Sequence, residues 1–215
     1  MYRQRLQAIA REAGFPVDEY GDAHFVVSHE VVGELRTLQY VDQWRSALAN
    51  RWYHLRMQDH SLFLFSEGLS PSYSFIHCPL EIMTFPDYLA ERGEENNPRI
   101  RREMAGSYQN VIDTAAERRH VTPIRYDYDP RGYQEGVHPV AHIHIGLGNE
   151  VRLCSNKMSA ASFVLFVMRQ MYPKSWEQLL TRKGLNRFVN SIREPSTRLE
   201  ERYFGAVDRI ELHLT

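Results

Sequence analysis

A chain of 215 residues, 43% hydrophobic and 25% charged, suits one soluble domain with a substantial core and excludes a fibrous or disordered class. Its net charge of −1 gives no global basic signature for nucleic acid or a membrane surface. The longest apolar run, Phe163 to Met168, is far too short for a membrane span, and the charged N-terminus lacks a signal-peptide core, which points to a cytoplasmic protein with no membrane partner.

Residues 3–13 read as a helix with Leu6, Ile9, Ala10 and Ala13 on one face, ended by Gly14 and Pro16. Residues 23–28 look like a short strand, and 29–50 fit helical spacing despite Gly33 and the β-branched residues. An aromatic-rich region follows, read as an antiparallel meander with strands near 51–57, 61–65 and 72–78. A short helix near 86–92 leads to the loop-like Glu94–Pro98 segment. Pro98 then opens a helix predicted over 98–119. Its Arg99, Arg101 and Arg102 read as a solvated face, with Arg118, Arg119 and His120 complementing the C-terminal dipole; the functional alternative is a phosphate-contacting surface.

Residues 123–129 alternate as a strand, and the loop Pro130–Gly136 joins it to a strand over 138–146. The piece 151–154 is expected to pair back across Leu147–Asn149. Ser159 caps a helix over 160–172, apolar nearly all round and hence central, and Pro173 ends it. An amphipathic helix over 175–193, a shorter helix near 196–204 and a last strand complete the chain. Cys78 and Cys154 have no C-x-x-C spacing and read as reduced, buried thiols. The expected fold is one α+β domain spanning 1–215: a mainly antiparallel sheet with flanking helices, with helix 160–172 packed on it.

Chemistry concentrates at His138-Pro139-Val140-Ala141-His142-Ile143-His144-Ile145-Gly146. Ile143 and Ile145 alternate with His142 and His144, so the isoleucines face the core and the imidazoles the other side; His138 has the same parity. Three readings stay open. The rings are structural, packed or hydrogen-bonded under a helix. They carry acid–base chemistry, which imidazole performs near neutral pH. Or they hold a divalent metal, for which alternate strand positions about 6.5–7 Å apart must converge and further ligands must come from elsewhere. His54, His60 and His77 in the meander are then the nearest supply.

A hairpin turning at Gly132–Gln134 puts Arg125 opposite His142, and Asp127 opposite Val140 within diagonal reach of His138 and His142. A carboxylate beside an imidazole sets its tautomer, and an arginine there suits an anionic substrate. Equally, Arg125 and Asp127 read as an exposed cross-strand ion pair of little energetic weight. The candidate catalytic set is His142, His144, His138 and Asp127, with Arg125 and Arg152 for the substrate. A metal, if held, would take His138, His142 and His144. No phosphate loop, dinucleotide fingerprint, nucleophile elbow or H-E-x-x-H motif occurs, so no organic cofactor is expected.

At H-P-V-A-H-I-H-I-G, followed by Arg152 and the helix end carrying Met171, Tyr172, Pro173 and Trp176, the chain resembles a prokaryotic family, domain of unknown function 2290. The resemblance covers most of the chain. It brings no activity and implies a bacterial cytosolic protein carried in mobile or defence-type gene clusters. The chain lacks the H-x-H-x-H of histidine-triad hydrolases and the paired H-x-[ST] motifs of two-histidine phosphoesterases. The leading expectation is a histidine-dependent hydrolase of a phosphodiester, RNA or nucleotide, with one of His142 and His144 as base and the other as acid. The alternatives are a non-catalytic adaptor subunit bound to a protein partner and a metal-stabilised binding module. Oligomeric state is left open.

Overall fold

The computed structural model describes residues 2–22, 24–148, 151–182, 199–208 and 213–214. Four helix starts are set by capping side chains. Ser28 accepts from the Val31 N–H ahead of α2 (His29–Thr37), and Thr84 from Asp87 N–H ahead of α4 (Phe85–Glu91). Asn97 takes the Arg99 and Ile100 N–H groups ahead of α5 (Pro98–Asp113), and Ser159 takes that of Ser162 ahead of α6 (Ala160–Met171). Each satisfies donors that a first helical turn leaves orphaned. The remaining helices are α1 (Tyr2–Ala13), α3 (Tyr40–Ala49) and α7 (Pro173–Leu180), the last begun by a proline whose missing N–H costs nothing there.

The strands are β1 (Val17–Tyr20), β2 (Leu55–Met57), β3 (Leu62–Ser66), β4 (Ser72–Ile76), β5 (Ile124–Tyr128), β6 (Ala141–Ile145), β7 (Val151–Ser155) and β8 (His213–Leu214). They form one sheet whose spatial order is their chain order. Each neighbour is antiparallel through β7, and β8 lies parallel to β7. The expected α+β class with a mainly antiparallel sheet is what forms.

Period-2 alternation gives this sheet two unlike faces. On one, α1, α6 and α7 bury Phe63, Phe65, Tyr73, Phe75, Tyr126 and Ile143. Phe163 of α6 is its keystone, edge-on to Phe63 at 6.3 Å and tilted on Tyr73 at 5.8 Å. On the other face Leu62, Leu64 and Ile76 pack under Trp44, Tyr88, Leu89 and Tyr108 from α3, α4 and α5. Among the described residues, this second core takes no buried side chain from β5, β6 or β7. The far half of that face is therefore free to carry polar groups.

Several expectations need correction. Of the strand expected over 23–28, residues 24–28 are described and form none; β1 lies earlier, at Val17–Tyr20, and Ser28 is spent on capping α2. The 29–50 helix is two helices, broken where Leu38 and Gln39 turn extended. The helix from Pro98 stops at Asp113, so Arg118, Arg119 and His120 complement no helix end; Arg118 instead donates to the Leu80 carbonyl at 2.8 Å. The 175–193 helix is described only as α7, and a 3-10 turn at Glu201–Tyr203 stands where a helix near 196–204 was expected. Residues 183–198 and 209–212 lie outside the described residues, as does most of the last strand.

Because Phe163 is fully buried between two sheet aromatics, Phe163→Ala should cost about 3–5 kcal/mol of stability in urea unfolding. A loss below about 1 kcal/mol would contradict its place at the centre of the first core.

Candidate functional site

The alternation in β6 works as the sequence implies: Ile143 is in the first core, and His142 and His144 point to the other face. The cross-strand registers then assemble two rows. Ser72, Asp127, His142 and Cys154 align across β4–β7, and Ser74, Arg125, His144 and Arg152 align beside them. The register differs by two residues from the hairpin expected, in which Arg125 faced His142 and Asp127 faced Val140. Arg125 faces His144 and Asp127 faces His142. The cause is the connection, which folds on itself: Asp129 caps the Arg131 and Gly132 N–H groups, and Gln134 pairs with His138 through backbone bonds of 3.0 and 2.8 Å. An even displacement keeps every side chain on its face, so the same residues still meet.

Asp127 is the hub. Its Oδ2 accepts from Arg125 Nε at 2.7 Å, and its Oδ1 accepts from the Ser72 hydroxyl at 2.7 Å. Nε2 of His144 lies 3.5 Å and Nε2 of His142 3.9 Å from Oδ2. The His142 ring stands edge-on to His144 and to His138, each at 4.8 Å between centroids. Beta strand ends before His138, which sits in the loop rather than in β6; the three rings are nonetheless contiguous. His142 and His144 are only 2% and 4% exposed, while the side chains of Asp127 and Arg125 are 23% and 29% exposed and Arg152 is on the surface. The imidazoles are thus sunk beneath a polar rim, not sealed in an apolar layer.

His142 Nδ1 lies 2.8 Å from the Pro139 carbonyl, which can only accept, so that nitrogen carries the proton. A neutral ring then turns a bare Nε2 lone pair toward the Asp127 carboxylate. Among the described residues, the buried Nδ1 atoms of His144 and His138 have no hydrogen-bond partner. Among the described residues, Asp127, His142 and His144 form a metal-capable group, their ligand atoms within 4.8 Å of one another. A tetrahedral zinc site has ligand–ligand edges of about 3.3–3.6 Å. The Asp127–imidazole separations approach that value, and the widest pair would have to close in on an ion.

The other candidates are occupied elsewhere. His60 Nε2 bonds the Tyr108 hydroxyl at 2.6 Å, His54 Nδ1 accepts from Phe65 N–H, and His77 Nδ1 accepts from Thr122 N–H. None of them joins the group, and Asp127 stands in it where His138 was expected. The basic residues of α5 are also engaged: Arg101 with Asp18 at 2.8 Å, Arg102 with the Pro98 carbonyl and Arg99 with Glu103. Ser72 and Cys154 escaped sequence reasoning; only the long-range pairings of β4 with β5 and β6 with β7 reveal their row.

The electrostatics of the cluster favour one charge and neutral rings. Burial would raise the Asp127 carboxyl, but Arg125, the Ser72 hydroxyl and His142 hold it below the ordinary value. Burial lowers His142 despite the Pro139 carbonyl and Asp127. Burial, the Arg125 charge and His142 bring His144 down to about 4. Both imidazoles are therefore neutral at pH 7, the form that ligates metals.

Residues 9–208 match the model of a family described as Uncharacterized conserved protein (DUF2290). No curated protein and no solved structure matches the chain. No helix among the described residues is long and apolar enough to cross a membrane.

Acid should test the neutral rings. Folded values below the ordinary 6.5 mean that the unfolded chain binds more protons as pH falls. Stability should be full above about pH 6.5 and fall until about 4, the value of both His144 and His60. The slope is at most about 1.4 kcal/mol per pH unit for each histidine. The depressed Asp127 acts lower, its contribution lost as pH falls through its folded value. Urea midpoints should drop across that window, and His144→Gln should remove part of the drop. A flat wild-type profile would contradict burial of neutral imidazoles.

Proposed function

The chain belongs to this DUF2290 family, and we propose that it is a divalent-metal-dependent hydrolase of a phosphodiester, with RNA or a nucleotide as substrate. The observation that carries the reading is the convergence of Asp127 with two neutral imidazoles on one face of the sheet. Asp127, His142 and His144 would hold the ion. Arg125 and Ser72 fix the carboxylate, and the Pro139 carbonyl fixes the His142 ring, as partners of metal ligands commonly do. A divalent ion there would polarise a phosphoryl oxygen and ease deprotonation of water. The water oxygen bonds to phosphorus, the ester P–O bond breaks, and the leaving alcohol takes a proton. Arg152, exposed beside His144 in register, would hold the phosphate, and half-buried His138 would carry the proton.

This reading asks less of the histidines than an acid–base pair does. A ring brought down to about 4 holds almost no proton at pH 7 to give away and is a weak base. A bacterial defence or toxin-type setting accords with such chemistry and is part of the same proposal.

One observation favours a second reading. His142 and His144 are closed to solvent, and both Asp127 oxygens already have partners. The cluster would then be a structural polar knot in a non-catalytic adaptor subunit with a protein partner.

Hydrolysis of a bis-aryl phosphodiester and of short RNA should appear with Mn²⁺ or Zn²⁺ and vanish with chelator. Asp127→Asn and His142→Gln should each lower kcat at least about a hundredfold, and Arg152→Ala should raise KM about tenfold with kcat little changed. Metal-independent wild-type activity would overturn the metal-dependent reading, and full activity in His142→Gln and His144→Gln would remove the assignment of this site. No activity in wild type, with His142→Ala lowering partner binding, would favour the adaptor.

A further inference from the structure

The loop that covers the histidines is itself held from a distance. Asp208, 4% exposed, grips it with both oxygens. Oδ2 accepts from the Tyr133 hydroxyl at 2.6 Å and from Gly205 N–H at 3.0 Å; Oδ1 accepts from Gly136 N–H at 2.8 Å. Glu135 returns the grip, its Oε1 accepting from Val207 N–H at 3.2 Å. The Tyr133 and Tyr203 rings meet edge-on at 5.4 Å. Gly136 has φ +66°, and a Cβ there would meet Val207 at 2.7 Å, so the two segments fit with no room between them.

From that anchor the loop runs directly to the site. Gln134 and His138 exchange backbone bonds, the Val137 carbonyl accepts from Arg152 at 3.4 Å, and the Pro139 carbonyl accepts from His142 Nδ1 at 2.8 Å. The His138 ring lies against His142. One short loop therefore ties Asp208 to the tautomer of a site imidazole.

We propose that Asp208 is a positioning residue for the site, setting the His142 tautomer through the Pro139 carbonyl. The alternative tautomer has a ready acceptor. A neutral His142 ring released from Pro139 can move its proton to Nε2 and swing toward the Asp127 carboxylate, 3.9 Å away and beyond hydrogen-bond reach while the ring is held, to donate to it. That proton would occupy the lone pair a metal needs. The clasp is thus a device for keeping Nε2 bare. The inference deepens the metal reading and depends on it only for its second readout.

The test is nitrogen-15 NMR of the imidazoles in the full chain, freed of metal by chelator, at pH 7. Wild type should show His142 as the Nδ1–H tautomer. In Asp208→Ala the Nε2–H form should reach at least an equal share, and Tyr133→Phe, which leaves the Asp208 bonds to Gly136 and Gly205 in place, should move the same way by less. Zn²⁺ titration should show the dissociation constant raised at least about twofold in Asp208→Ala, the factor that an equal share of the two tautomers imposes. If Asp208→Ala does not fold, Tyr133→Phe decides by the same spectrum. A melting temperature that falls while His142 keeps its wild-type spectrum overturns the proposal. A tautomer shift in a protein that binds no Zn²⁺ upholds the clasp and removes the metal reading. Zn²⁺ bound equally by wild type and variants, with no tautomer shift, removes the clasp alone.

Discussion

A carboxylate sunk into a sheet face must be neutralised, and around Asp127 the chain does this sparingly. One guanidinium, from Arg125, and one hydroxyl, from Ser72, meet its two oxygens. Across the strand gap it faces imidazoles that burial keeps uncharged. The excess of lone pairs over protons on that side is the feature on which the functional account depends. An unpaired buried acceptor is costly unless something positive shares it.

A second ionic cluster in the same fold shows the contrast. Asp18 is met by Arg56 at 2.7 Å and Arg101 at 2.8 Å, with Glu19 also on Arg56 at 2.9 Å. Arg51 also pairs with Glu19, so three cations face two carboxylates there, tying β1 and β2 to α5. Its carboxyl, which burial would raise, is held down by full charges, chiefly that of Arg56. That arrangement needs no further ion and reads as structural. The Asp127 cluster has one cation for its one carboxylate and two uncharged imidazoles beside it, and lies where the second core ends.

Much of this was legible in the chain, because it rests on local period and local chemistry. Alternation in 142–145 fixed which face the imidazoles take, and Ser159 and Pro173 bounded α6. The meander appeared with its three strands because turn residues punctuate it. What failed was long-range or competitive. The hairpin register slipped by two because Asp129 and Gln134 build an inner turn that residue counting cannot see. The 23–28 strand lost Ser28 to a helix cap, and Pro98 opened a helix whose end no strong signal marks. Ser72 enters the site from β4 and Asp208 reaches it through a loop, and nothing near either residue announces it.

The most direct measurement is anomalous X-ray diffraction from crystals of the full chain equilibrated with Mn²⁺ or Zn²⁺ near neutral pH. The account predicts one anomalous peak bounded by the Asp127 carboxylate and the imidazoles of His142 and His144, lost in crystals of Asp127→Asn. Ions found only at surface carboxylates, with the Arg125–Asp127 pair undisturbed and the imidazoles unligated, would contradict it.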